Sequence, residues 1–95
     1  MNFERGETVV LSIEVRDEDD ALTSPATSMT VAITDPDGIV VQVATAMTNT
    51  GGATGLYHYD YLLGAAITLG IYEAEFKATD GSRVTIERDQ FTVIE

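Results

Sequence analysis

Carboxylates are the side chains with the clearest chemical potential in this sequence. Four acidic residues run from Asp17 through Glu18 and Asp19 to Asp20, and Asp80 comes much later, directly before a glycine. Carboxylate oxygens without neighbouring lysines are the hard ligands that Ca²⁺ prefers. They therefore suggest a calcium site formed by Asp17, Asp19, Asp20 and Asp80. The spacing matches no known calcium loop, so a solvated acidic surface is the competing interpretation.

A search for catalytic residues gives a different result. His58 is the single histidine, and Asp60 lies two positions away on the same predicted strand face. Side chains in these positions are about 7 Å apart, too far for a direct hydrogen bond. No serine or cysteine lies in a nucleophile motif, and no glycine-rich loop precedes a helix that would hold phosphate. We expect a protein that is not an enzyme and has no cofactor, apart from the hypothesised Ca²⁺.

The net charge limits the partners of the chain. Sixteen acidic residues against five Lys and Arg give a formal charge of −11. Phosphate backbones and anionic lipids repel such a chain, so we expect neither nucleic acid nor a membrane as partner. Negative charge also keeps an all-β protein with exposed strand edges soluble. A single lysine, Lys77, and thirteen threonines resemble the composition of salt-adapted proteins, so a high-salt habitat is a second interpretation.

Length and composition favour one domain over residues 1–95. The hydrophobic fraction of 44% is enough for a packed core. No apolar run approaches the roughly 20 residues that span a bilayer. The chain starts with methionine and has no hydrophobic signal core, so we expect a protein used without secretion or a piece of a larger one. It contains no cysteine, hence no disulfide.

Alternation of apolar and polar residues predicts the strands that position these side chains. The predicted strands are 3–4, 8–16, 28–34, 39–44, 56–63, 71–79 and 83–93. The inward residues of the last strand change parity between Ile86 and Phe91, which predicts a bulge near 88–89. The predicted core consists of Val9, Leu11, Ile13, Val15, Met29, Val31, Ile33, Tyr57, Tyr59, Tyr72, Phe76, Phe91 and Val93.

Following the strand directions places the connections at two ends. Three connections, 17–27, 45–55 and 79–82, should lie at one end, and the turns at 35–38 and 64–70 at the other. This arrangement brings the acidic run and Asp80 to the same end, as the calcium hypothesis requires.

The succession GETVVLSIEVRD, VAITDPDG, TGLYHYDY, LGIYEAEFKATDG and FTV resembles immunoglobulin-like domains of prokaryotic surface proteins, macroglobulin-type domains and phage or archaeal-virus structural proteins. The resemblance implies an immunoglobulin-like sandwich of about seven antiparallel strands in two sheets. Its LGIY segment resembles a tyrosine corner, in which the Tyr72 hydroxyl would pin a connection. The cysteine pair and core tryptophan of antibody domains are absent, which argues against that branch.

Two functions fit such a fold. The first is an accessory structural component of the particle of a tailed phage or archaeal virus, such as a head-decoration, connector or tail protein, located in the virion. It would contact other virion proteins or copies of itself. The alternative is an excised module of a secreted or cell-surface protein that acts as spacer or adhesin. Strand 39–44, which contains Val40, Val41 and Val43 and no charged residue, is the predicted docking edge.

Overall fold

The computed structural model of the chain describes residues 2–17, 19–25, 27–65 and 67–95. These residues form two sheets, which we call the large and the small sheet. The large sheet has the strand order β1-β8-β7-β3-β4, and the small sheet has the order β2-β6-β5. The strands are β1 (Asn2–Glu4), β2 (Thr8–Glu14), β3 (Ser28–Thr34), β4 (Val40–Ala46), β5 (Thr48–Asn49), β6 (Leu56–Leu62), β7 (Gly70–Asp80) and β8 (Arg83–Ile94). The predicted all-β class with two sheets is confirmed.

The strand pairing differs from the prediction in two respects. The described residues form eight strands rather than about seven, because the connection 45–55, a predicted loop for which a short edge strand was an alternative interpretation, contains β5, which pairs with β6. The first strand is not antiparallel, because β1 runs parallel to β8, with Phe3 opposite Val93. The other strand pairs are antiparallel, including the long β7–β8 ladder.

The core lies between the sheets and follows the predicted alternation. Nine of the predicted residues are buried: Val9, Leu11, Met29, Val31, Ile33, Tyr72, Phe76, Phe91 and Val93. The other four, Ile13, Val15, Tyr57 and Tyr59, are half-buried and pack against this cluster. Met47, Leu63 and Ala74 complete the buried cluster, although the sequence did not single them out. Among the described residues, no helix is long and apolar enough to cross a membrane.

The predicted bulge in the last strand is wrong. The β7–β8 ladder pairs every residue in register, from Gly70 opposite Val93 to Asp80 opposite Arg83. A regular strand places Phe91 and Val93 on one face and Val84 and Ile86 on the other. The side chains of Val84 and Ile86, in the first half of the strand, are accordingly exposed, at 51% and 46%.

The ends of the molecule agree with the predicted strand directions. At one end, Gly55 N donates to Ser24 Oγ and Gly81 N donates to Thr27 Oγ1, so the three predicted connections meet there. At the opposite end, a Cβ on Gly70, whose φ is +134°, would lie 2.8 Å from the Pro36 ring. That close approach requires glycine where the two turns touch.

Tyr72 fastens the connection that follows β6. Its ring is fully buried and stacks on Phe91, with 5.2 Å between the ring centroids. Its hydroxyl donates to the Thr68 carbonyl at 2.6 Å, as predicted for a residue that pins a connection. Burial raises the pKa of Tyr72 above its ordinary value of 10.0, and the nearby Tyr61 and Asp35 add to the rise.

Truncation of a fully buried side chain should separate core from surface. Ile33→Ala removes a side chain with no exposed area and should lower the free energy of unfolding by about 2–5 kcal/mol. Val43→Ala, at a position that is 71% exposed, is the control and should leave it nearly unchanged. Urea denaturation measures both, and equal midpoints for the two variants would contradict the assigned strand faces.

Tyr72→Phe should lower the free energy of unfolding, measured by urea denaturation at neutral pH, by about 0.5–1.5 kcal/mol, the net value of one hydrogen bond.

The native protein should also lose stability as the pH rises above about 10, because tyrosine ionises in the unfolded chain before it does in the folded one. This alkaline loss should be smaller in Tyr72→Phe, where the raised pKa of Tyr61 still contributes. An unchanged alkaline profile would contradict the role of Tyr72.

Candidate interaction surfaces

The acidic loop after β2 uses its first carboxylate for its own structure. Asp17 Oδ1 accepts hydrogen bonds from the backbone N–H groups of Asp19, at 2.9 Å, and Ala21, at 3.0 Å. Aspartate commonly closes turns by bonding to the backbone two residues on. Asp20, in the left-handed region with φ 63°, lies 3.9 Å from the Arg16 guanidinium. These contacts give two of the four predicted ligands a structural explanation.

Of the other two predicted ligands, Asp19 lies in the same loop as Asp17, and Asp80 reaches the same end of the molecule. Asp17 and Asp80 both line a depression of about 90 Å³, which Arg16 and Arg83 also line. Within 2–17, 19–25, 27–65 and 67–95, no three or more His, Asp or Glu side chains are grouped closely enough to hold a metal ion. Glu18 lies outside the described residues. The calcium hypothesis stays a prediction, which calorimetric titration of the native protein and the Asp19→Asn, Asp80→Asn variant would test.

His58 lies on β6, on the strand face opposite to its tyrosine neighbours, as the alternation predicts. Its Nδ1 is 2.8 Å from Thr50 Oγ1, across the short turn that joins β5 to β6. Tyr57 and Tyr59, on the opposite strand face, pack against the core. The imidazole therefore takes part in fastening a loop, a role that needs no substrate.

The predicted docking strand is an edge strand. β4 is the last strand of the large sheet and, among the described residues, pairs only with β3. Four aliphatic side chains lie exposed at its start and in the residue before it: Ile39 at 60%, Val40 at 54%, Val41 at 39% and Val43 at 71%. We call these four residues the β4 edge patch. A run of exposed aliphatic side chains on a sheet edge is typical of a contact surface.

The backbone of β4 is irregular, and this affects the kind of contact that it can make. Its pairing with β3 shifts register twice, on either side of Ile33. Gln42 pairs with Ile33, and its Oε1 accepts a 3.3 Å hydrogen bond from the Tyr59 hydroxyl on the small sheet. Bulges bend an edge and oppose continuous strand pairing. The β4 edge patch is therefore suited to side-chain contacts.

A second surface lies on β8, where sequence reasoning had placed a bulge. Thr85, Glu87 and Asp89 share the inward strand face with Phe91, yet all three are exposed. The small sheet, with three strands against five, does not cover this half of β8. Uninterrupted alternation backward from Phe91 and Val93 would have identified these residues as inward-facing polar groups.

Comparison with known proteins adds no family to this description. A scan against models of protein families finds no match, and a search of curated proteins finds none either.

Proposed function

We propose that this chain is an immunoglobulin-like sandwich that acts through contacts between proteins, as an accessory component of a virus particle. The strand arrangement supports the fold assignment. In immunoglobulin variable-type domains, one sheet contains the third strand in chain order, C, and the last two strands, F and G. An additional strand, C′, lies beside strand C in that sheet. Here β4 lies beside β3, which is followed by β7 and β8, while β2 and β6 pair in the other sheet. The parallel β1–β8 pair adds a short strand at the far edge.

The β4 edge patch is the observation that carries the functional proposal. Four consecutive or near-consecutive aliphatic side chains are between 39% and 71% exposed on one edge. Covering such side chains contributes about 25 cal/mol per Å² of apolar surface removed from water. The gain is largest for a partner that covers several of them at once. A contact with another copy or another shell protein would provide this burial.

Charge supports an assembly in which neighbouring copies meet along a limited edge. Each copy has a formal charge of −11, and the copies therefore repel one another. Screening shortens this repulsion to about 8 Å at physiological ionic strength. An uncharged patch at the edge allows contact while the acidic surfaces stay in solvent. A spacer or adhesin module of a cell-surface protein remains the alternative, supported by the same sandwich and the same resemblance.

Lysine substitutions in the β4 edge patch test this proposal. The native protein should associate more strongly as salt rises from low to moderate concentration, because salt screens the repulsion between copies. Val43→Lys and Val41→Lys should weaken that association, since each places a charge in the contact. Val84→Lys is the matched control, at an exposed valine on the outer face of β8. Sedimentation velocity over a salt series measures the association, and pelleting with purified particles measures binding to a shell.

The outcomes separate the alternatives. Equal weakening by Val43→Lys and Val84→Lys would contradict the β4 edge patch as the contact. A protein that stays monomeric at every salt concentration and never pellets with a particle would contradict the virion assignment. Genes for capsid, portal or tail proteins beside this one would support the virion role, whereas repeated copies of the domain in one long gene would support the surface module.

A further inference from the structure

A groove runs along the open edge of β2, between that strand and the uncovered half of β8. One part of it, about 390 Å³, is lined by Val9–Ser12 on one side and Asp89–Phe91 on the other, with Phe3 and Phe76. The next part has a volume of about 230 Å³. Residues 13–16, at the end of β2 and just after it, line one side, and Thr85 and Glu87 of β8 line the other. Phe76 lines both parts. We call the two parts together the β2–β8 groove.

The β2 backbone faces this groove with hydrogen-bonding groups. Just after β2, Val15 N donates to Gly55 O at 2.8 Å, and just before it, Glu7 O accepts from Leu63 N at 2.9 Å. Both partners flank β6, so odd-numbered residues direct their N–H and C=O groups toward β6. Successive residues alternate between the two edges of a strand. Val10, Ser12 and Glu14 therefore direct theirs to the open edge, where the described residues supply no partner.

The regularity of β2 makes it a better template for strand pairing than β4. Its ladder with β6 holds seven consecutive pairs, from Thr8 opposite Leu62 to Glu14 opposite Leu56, without a register shift. A regular edge presents donors and acceptors at even spacing, which an added strand can match along its whole length. The register shifts of β4 interrupt that spacing. The other two edge strands, β1 and β5, have three and two residues.

Charge in the groove favours a basic occupant. Glu87 and Asp89 face into it, and no described cation lies within ion-pair distance of either carboxylate. Arg88 points to the opposite face of β8, where it pairs with Glu73 and Glu75. Glu14 is already paired with Arg16 at 2.9 Å. Asp89 Oδ1 accepts a 2.8 Å hydrogen bond from Gln90 N–H, so the Glu87 carboxylate and the other oxygen of Asp89 remain for a partner, next to an apolar part at Phe3 and Phe91.

We propose that the β2–β8 groove binds an extended segment of another protein, which adds a fourth strand to the small sheet. Its backbone would pair with Val10, Ser12 and Glu14. Alternate side chains would point inward, with Lys or Arg over Glu87 and Asp89 and an apolar residue over Phe91. A second copy of this chain is disfavoured as occupant, because its acidic strands would bring further negative charge to these carboxylates. The site is separate from the β4 edge patch and does not depend on it.

Designed peptides test the proposal directly. Two peptides of about nine residues would carry Lys, Lys and Val at alternate positions, with threonines between them. The order of these three residues is reversed in the second peptide, so that one peptide matches the groove when it binds parallel to β2 and the other when it binds antiparallel. At least one should bind, measured by calorimetry, and should shift the NMR amide signals of Val10, Ser12 and Glu14 without shifting those of Val41 and Val43. Affinity should fall as salt rises, opposite to the expected self-association through the β4 edge patch.

Matched variants separate charge from backbone pairing. Glu87→Gln with Asp89→Asn should weaken binding about three- to tenfold, as expected for two solvent-accessible ion pairs. Asp37→Asn with Asp60→Asn removes the same charge outside the groove and should change affinity by less than about twofold. N-methylation of one alternate set of peptide amides should abolish binding, and methylation of the other set should leave it intact.

Several results would overturn the proposal. Absence of binding by both peptides at millimolar concentration would do so, as would equal binding of a peptide with Glu in place of Lys. Equal affinity of the two N-methylated peptides would exclude strand pairing. Concentration-dependent shifts of Val10, Ser12 and Glu14 without any peptide would identify a second copy as the occupant. Failure of the β4 variants to alter self-association would leave this proposal untouched, so the two are distinguishable.

Discussion

The inward side chains of β3 and β7 pack against the small sheet, and the rest of the structure depends on this contact. Val31, Ile33, Tyr72 and Ala74 have no exposed area, and they form one cluster with Val9 of β2. Because β3 and β7 are neighbours in the large sheet, this cluster lies under its middle. The three strands of the small sheet cover the middle of the large sheet, but they are too few to cover all five of its strands. The difference in width leaves polar inward-facing residues on β8 exposed and gives β2 an open edge.

The distribution of charge follows from the same arrangement. Aspartates at the turns are used locally, since Asp17 and Asp35 each accept two backbone hydrogen bonds within their own loops. The arginine on the outer face of β8 pairs with two glutamates of β7. The acidic surface also contains exposed apolar side chains, among them the β4 edge patch and the apolar part of the β2–β8 groove. A contact gains from burying these two surfaces, so the proposed functions concern them.

Much of the fold could be predicted because period-two alternation is a local property. The bounds of β3 and the inward faces of β2, β3 and β7 follow directly from it, whereas the role of the Tyr72 hydroxyl was indicated by the resemblance of the LGIY segment to a tyrosine corner. Alternation was less informative where a strand is buried over only part of its length. In β8, Val84 and Ile86 are apolar but face solvent, so hydrophobicity alone indicated the wrong face and suggested a bulge. The parallel pairing of β1 and the register shifts of β4 depend on distant strands, which no local pattern records.

Amide hydrogen exchange of the free protein tests the central claim, that the small sheet ends at β2 with a regular, open edge. The N–H groups of Leu11 and Ile13 bond within the sheet, whereas those of Val10, Ser12 and Glu14 point outward. Exchange resolved by residue should therefore alternate along β2, slow at the odd positions and fast at the even ones. Uniform protection along β2 would contradict the account, because it would mean that another strand already covers this edge.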